Sequence, residues 1–255
     1  MDPVAVTLPL AELETTMLAG VRMAAFLVIA PPFAHRAIPG AVKVVLAIGL
    51  ALAVGPRLDP LPSDTTPVFL GALVLQAAIG AGLGFLVALV FDAIQSAGAL
   101  IDMFGGFQMG QAFDPMSMTN GAQFARLYQM TALVLLFASN AYQLVLAGLV
   151  RTFDALPLGV GMDMSALAST LVEGTTSMFV AALQIAGPLL VVLFLADVGL
   201  GLLTRVAPAL NAFAMGFPLK ILLTLTFGSF AYLALPHVVE TMTGRSVGAM
   251  LGVLP

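Results

Sequence analysis

The sequence predicts an all-α, polytopic membrane protein of about six long hydrophobic helices, with no sheet. Three observations carry that expectation. Of 255 residues, 60% are hydrophobic and only 9% charged, with a mean hydropathy of +1.08; a soluble domain has about 25% charged residues. Three charge-free runs reach the length of about 20 apolar residues that a bilayer span needs. They hold 27 residues between Asp64 and Asp92, 24 between Arg126 and Arg151, and 23 between Glu173 and Asp197. Polar stretches bearing Pro and Gly punctuate the chain between such runs.

Taken in order, the first span is expected over Thr15 to Ala34, with Arg22 inside it and Pro31-Pro32 ending it. Ile38 to Gly55 is the second, with Lys43 near its start. The third is roughly Pro67 to Phe91, the fourth lies between Arg126 and Arg151, and the fifth between Glu173 and Asp197. The sixth runs from about Leu210 to Leu235, interrupted by Pro218 and Lys220. Gly55–Pro67, the stretch from Asp92 to Gly121, and Arg151–Glu173 read as connections. The chain is one integral membrane domain, 1–255, and no period of 20–50 residues repeats.

Composition excludes several classes. With no Cys and two isolated His, His35 and His237, the chain offers no disulfide, thiolate or His-based metal site, and no cofactor is expected. A net charge of −4 argues against nucleic acid as a partner. No GxSxG, HExxH or P-loop pattern occurs. Asp92 and Asp197 lack the GxGD-like setting of an intramembrane aspartyl protease, so no catalysis is expected. Asp2, Glu12 and Glu14 stand where a secretory signal is basic, so no cleavage is expected. Trp is absent and Tyr occurs three times, a thin aromatic belt that suits helices anchored by protein neighbours. Arg36, Lys43, Arg126 and Arg205 fall on one side of six spans and Arg57, Arg151 and Arg245 on the other, which sets no orientation.

Polar residues inside apolar stretches mark where chemistry or packing concentrates. At 100° per residue, Asp92, Gln95, Ala99 and Asp102 fall within an arc of about 80°. This acidic stripe reads as the wall of a pore or cavity, since carboxylates at membrane depth face protein or water. It reads equally as the wet face of an interfacial helix. Asp197 and Arg205 sit eight residues apart, too far round one helix for a direct bond, and each is expected to pair across helices. Gly216 and Pro218 would kink the sixth span.

The stripe leads into FGGFQMGQAFDPMSMTNG, Phe104 to Gly121, with three Phe, three Met and four Gly in eighteen residues. Met adapts to irregular surfaces, and Gly lets the backbone hinge. Non-helical backbone at membrane depth is tolerated only inside protein or water. The segment reads as a pliable seal, or as a mobile surface loop.

Two blocks resemble one known family. Gln108-Met109-Gly110, then Asp114-Pro115, then an apolar helix ending in Thr152-Phe153-Asp154-Ala155-Leu156-Pro157-Leu158-Gly159, look like the signature region of the flagellar biosynthesis protein FliR family. A second block is similar to that family's later motif. Its residues are Gly201, Leu202, Arg205, Pro208, Asn211, Phe213, Gly216, Phe217 and Pro218. The resemblance covers roughly Pro67 to Pro236. The chain departs from it at Asn140-Ala141-Tyr142, where the family often has Asn-Gly-His. The injectisome relatives tend to carry an Arg-Gly turn near the loop, where this chain has Gln108-Met109-Gly110.

The resemblance implies a subunit of a flagellar type III protein export gate in the bacterial inner membrane, within the flagellar basal body. It implies one copy of this chain assembled with several FliP-like and FliQ-like subunits, next to an FlhB-like switch subunit, passing unfolded export substrates. Residues 1–170 would be a FliP-like part containing loop 104–121, and 171–255 a FliQ-like part. Phe107, Met109, Phe113, Met116 and Met118 would form a plug and gasket. Asp92, Gln95 and Asp102 would line a polar approach. Asp114, Pro115, Arg126, Arg205, Asn211 and Pro218 would position helices or subunits. The alternatives are an injectisome export-gate homologue and a small-solute secondary transporter.

Overall fold

A computed structural model describes residues 10–35, 37–59, 65–107, 123–158, 164–207 and 212–252. Among them every regular element is helical: α1 Leu10–Ile29, α2 Gly40–Val54 with a 3-10 turn Gly55–Arg57, α3 Thr66–Phe104, α4 Gln123–Ala138, α5 Ala141–Ala155, α6 Met164–Val206, α7 Ala212–Leu233 and α8 Leu235–Gly252. The all-α expectation holds for these residues. Four helices are long and apolar enough to cross a membrane: α2 with its turn, α3, α6 and α7. A fifth span arises if α4 and α5 count as one broken span.

The expected six spans are corrected at several points. The third does not stop at Phe91. α3 runs 39 residues to Phe104, about 58 Å at 1.5 Å per residue, and carries the acidic stripe. Polar residues that find partners or solvent do not end a helix. The fourth is two helices. The chain breaks where Asn140 takes φ 56°, a left-handed conformation that Asn tolerates better than most residues. Ser139 closes the preceding turn by donating to the Leu135 carbonyl through both its backbone N–H and its hydroxyl. The fifth starts earlier and ends later, as the 43-residue α6. Arg151–Ala155 and Met164–Glu173, expected as connection, are helix. Pro218 lies within an unbroken α7. α8 was not expected. Pro236 opens it at a position where the missing N–H costs nothing, and Leu235, Val239, Thr243, Val247 and Met250 place a buried face at helical spacing.

The chain folds as two compact units: Met1–Ala88, Ala141–Gly174 and Thr243–Pro255 form the first, and Leu89–Asn140 and Thr175–Met242 the second.

In the first unit α1 and α3 approach closely. A Cβ on Gly80 would collide with the Arg22 carbonyl oxygen, and one on Gly84 would lie 3.0 Å from that of Phe26. Small residues four apart are what let membrane helices meet backbone to backbone. This crossing brings Arg22, fully buried, beside Gln76, one turn before Gly80. The Arg22 Nε donates to Gln76 Oε1 at 2.7 Å, Nη1 to the Thr152 carbonyl at 3.2 Å and Nη2 to the Leu156 carbonyl at 2.8 Å. Gln76 Nε2 donates onward to the Leu158 carbonyl at 3.3 Å. The guanidinium lies 4.2 Å from the centre of the Phe153 ring.

Helix ends leave carbonyls without intrahelical partners, and a cation is favoured there by the helix dipole. Arg22 therefore needs no carboxylate. α1 is outside the four candidate spans. Burial lowers its Arg22 to about 10, still cationic at neutral pH.

The Thr152-to-Leu158 motif is thus the mould for one buried arginine. Replacing Arg22 by Ala should destabilise the chain by about 3 kcal/mol, because it strands several buried acceptors. Lys, which cannot fork, should fall between Ala and the parent. Thermal unfolding of the detergent-extracted protein checks this order.

Candidate functional site: the base of the Met-rich segment

The second unit holds both ends of the Met-rich segment. α3 stops by a defined mechanism. Gly106 takes φ +83°, the left-handed conformation that closes many helices. The Phe107 N–H reaches back to the Asp102 carbonyl at 3.0 Å, and the Gly105 N–H to that of Ile101 at 2.8 Å. The Phe107 bond is the 6→1 bond of a Schellman-type end, and the Gly105 bond is an ordinary last-turn bond.

The Asp102 side chain then fixes the other end. Its Oδ1 accepts the Phe124 N–H at 3.0 Å and its Oδ2 the Ala125 N–H at 2.9 Å. Asp102 is fully buried. It serves as an N-cap for α4 supplied from another helix, where a carboxylate meets both unpaired N–H groups and the positive end of the helix dipole. Gly98, one turn earlier on the same face, makes the approach possible. A Cβ there would lie 2.6 Å from the Phe124 carbonyl oxygen and 2.7 Å from the Ala125 Cα.

Aromatic rings brace this base. Phe107 meets Phe124 edge-on, with centres 5.1 Å apart. Phe124 meets Tyr128 one turn on, and Tyr128 meets Tyr232 of α7, each at 6.4 Å. The Tyr232 and Thr131 hydroxyls share a hydrogen bond of 3.0 Å. Such pairs contribute about 0.5–1.5 kcal/mol each beyond their area. The two ends of segment 108–122 therefore stand side by side on a braced platform.

The sequence-named residues distribute as follows. Phe107 is half-buried in the aromatic brace. Asp92 is exposed, Gln95 half-exposed and Asp102 buried, so the acidic stripe passes from an accessible end to an anchoring end. Arg126 and Arg205 are exposed, and Pro218 is exposed within α7. Asp197 pairs across helices, as expected, with Lys220 of α7 at 2.7 Å. Met109, Phe113, Asp114, Pro115, Met116, Met118 and Asn211 lie outside the described residues. Sequence reasoning did not single out Phe124, Tyr128, Tyr232 or the Arg22–Gln76 pair. A lone arginine in an apolar helix was the available signal for the last, because such a residue must face protein.

No group of three or more His, Asp or Glu that could hold a metal ion occurs among the described residues.

The geometry defines a helical membrane protein that holds residues 108–122 by both ends. The sequence profile of "Bacterial export proteins, family 1" matches residues 13–246, and the chain belongs to that family. It is 36% identical to the flagellar biosynthetic protein FliR of Escherichia coli (strain K12) over 81% of this chain and 78% of the relative. With the FliR of Bacillus subtilis (strain 168) identity is 28% over 93% and 95%. With the secretion system apparatus protein SsaT of Salmonella typhimurium it is 32% over 68% of each. The chain is a type III export-gate subunit, and flagellar biosynthesis and protein export are the processes to which its relatives' names attach.

Asp102→Ala should free the Phe124 and Ala125 N–H groups. With about 1.5–3 kcal/mol lost per charged hydrogen bond, their amide hydrogen exchange should quicken at least about tenfold. Asp102→Asn, which keeps one good acceptor, should show a smaller change.

Proposed function

We propose that this chain is a pore-forming subunit of the flagellar export gate and that segment 104–121 is its plug. One observation carries the reading: Asp102 and the Phe107–Phe124 contact hold both ends of a Met- and Gly-rich segment on a braced base. A gate must seal against ions yet let an unfolded chain of any sequence pass. Phe107, Met109, Phe113, Met116 and Met118 supply volume and adaptability, while the base prevents the segment from being carried away. Asp92 and Gln95 line the polar approach, and Asp102 terminates it by anchoring the segment. Asp114, Pro115, Arg126, Arg205, Asn211 and Pro218 set helices and neighbouring subunits.

The assembly we propose contains one copy of this chain with FliP-like and FliQ-like subunits beside an FlhB-like subunit, in the bacterial inner membrane. Residues 1–170 stand in for a FliP-like subunit and 171–255 for a FliQ-like one. The role is structural and conductive, not catalytic. Its support is the thin cover on the long apolar helices: only 22% of the candidate span in α6 and 17% of that in α7 is buried within the chain. Such faces need lipid or protein beside them. The injectisome reading keeps the same gate role and has the likeness to SsaT in its favour. Restoration of swimming in a strain lacking its own FliR would assign the flagellar branch.

Native mass spectrometry of the tagged chain should show one copy with several copies of two smaller hydrophobic proteins; a lone monomer or homodimer would sink the assembly. Changing Met109, Met116 and Met118 together to Ser should raise ion leak through the resting gate, read as membrane depolarisation. Unchanged leak and unchanged secretion would remove the plug.

A further inference from the structure

The first unit contains a cavity unrelated to the segment's base. It measures about 630 Å³ and lies where the first turns of α1 face the end of α2. Its wall is two-sided. Arg57, Glu12 and Asp59 supply one cation and two carboxylates, and Leu13, Leu52 and Leu58 supply the apolar part. Glu12, Arg57 and Asp59 are exposed. Among the described residues no ion pair joins Arg57 to either carboxylate.

The position of this cavity along the chain matters. The apolar stretch Gly40–Arg57 is long enough to cross a bilayer, and only 17% of it is buried within the chain. Arg57 therefore closes a span, at the depth where basic side chains meet lipid head groups. Val45, Ile48 and Leu52 leave an apolar face of α2 open, Leu52 by 60%, and Leu13 of the cavity wall is 46% exposed. The apolar residues of the cavity thus adjoin the exposed apolar face of α2, and its charged residues sit at the end of that candidate span.

We propose that this cavity binds a zwitterionic phospholipid carrying a primary ammonium, a phosphatidylethanolamine. The Arg57 guanidinium takes the phosphate, for which its planar fork of donors is suited. Glu12 and Asp59 accept from the ammonium, and the acyl chains lie along Leu52 and the open face of α2. The charge set selects among lipids. An anionic phosphatidylglycerol brings only neutral hydroxyls to the two carboxylates, and its net negative charge is repelled by them. A phosphatidylcholine brings a positive charge but no N–H to donate.

The test uses the full-length chain extracted with its native assembly, stripped of lipid in detergent. It is exposed to vesicles of equal parts dioleoyl phosphatidylethanolamine, phosphatidylglycerol and phosphatidylcholine, and the lipid retained per chain is counted by native mass spectrometry. The parent should retain phosphatidylethanolamine above the other two. Arg57→Gln should lower that retention about tenfold, the loss of one charge-assisted hydrogen bond of about 1.4 kcal/mol. Glu12→Gln combined with Asp59→Asn should erase the preference over phosphatidylcholine. Arg151→Gln, an exposed change outside the cavity, should alter nothing. All three substituted cavity side chains are exposed, so the variants should assemble as the parent does. Equal retention of the three lipids, no retention at all, or retention indifferent to the cavity variants would overturn the proposal. Displacement of the lipid by soluble phosphoethanolamine at matched concentration would also overturn it, by assigning the cavity to the free head-group compound.

Discussion

The constraint on which the rest of this structure depends is that a helix ending away from water must have its backbone polar groups met by protein. Two buried charges meet it, each matched to the sign of the helix end it serves. Arg22 lies against the last carbonyls of α5, where the dipole is negative. Asp102 lies against the first N–H groups of α4, where it is positive. Neither ion has an opposite charge as its main partner. In an apolar setting a half-charge made of aligned peptide groups can hold an ion that would otherwise be expelled. Each charge reaches its target because a glycine on α3 lets two backbones nearly touch: Gly80, one turn after Gln76, for Arg22, and Gly98, one turn before it, for Asp102.

Capping from another helix has a consequence for connectivity. A cap made within its own helix leaves that helix free to move as a rod. A cap supplied by another helix ties the start of one element to the middle or end of another. Asp102 ties the start of α4 to the last turn of α3, and those are the two ends between which residues 108–122 run. Arg22 ties α1 to the end of α5 and, through Gln76, to Leu158. The tied points border residues 108–122 and 159–163.

Much of this was legible in the sequence, and what was not has physical reasons. Hydropathy located the apolar helices because lipid and protein interiors select the same side chains. It misplaced their ends because an end is a hydrogen-bonding event. Nothing in the apolar run from Leu127 to Val150 announces a break, yet Asn140 can take a left-handed turn that its neighbours resist. The run at 164–173 is polar enough to read as connection, yet its Ser169 and Thr170 hydroxyls turn back onto the Ala166 carbonyl and leave the helix intact. Asp102 was legible as a polar residue on one face with Asp92 and Gln95. Its partners are backbone N–H groups 22 and 23 residues away, and backbone groups carry no sequence signature. The family motif at 152–158 was legible as a pattern before it had a meaning. Its acceptors are backbone carbonyls, so Leu156 and Pro157 serve by ending the helix where a distant arginine can reach.

A braced base joined to a Met- and Gly-rich segment suits the gate role proposed above better than a uniform constriction would. A wholly rigid constriction would seal well but select its cargo by shape, which an unfolded chain does not possess. A wholly pliable one would admit any chain but could be extruded with it. Aromatic contacts from Phe107 through Tyr128 to Tyr232 brace the base, and the sequence that follows it carries Met109, Met116 and Met118 with Gly110 and Gly121. Among the described residues the two buried charges, Arg22 and Asp102, are both anchors. A guanidinium held by three hydrogen bonds and a carboxylate held by two are fixed in place, whereas the thioethers and rings of the proposed plug would lose only dispersion contacts on shifting and regain them in the next arrangement.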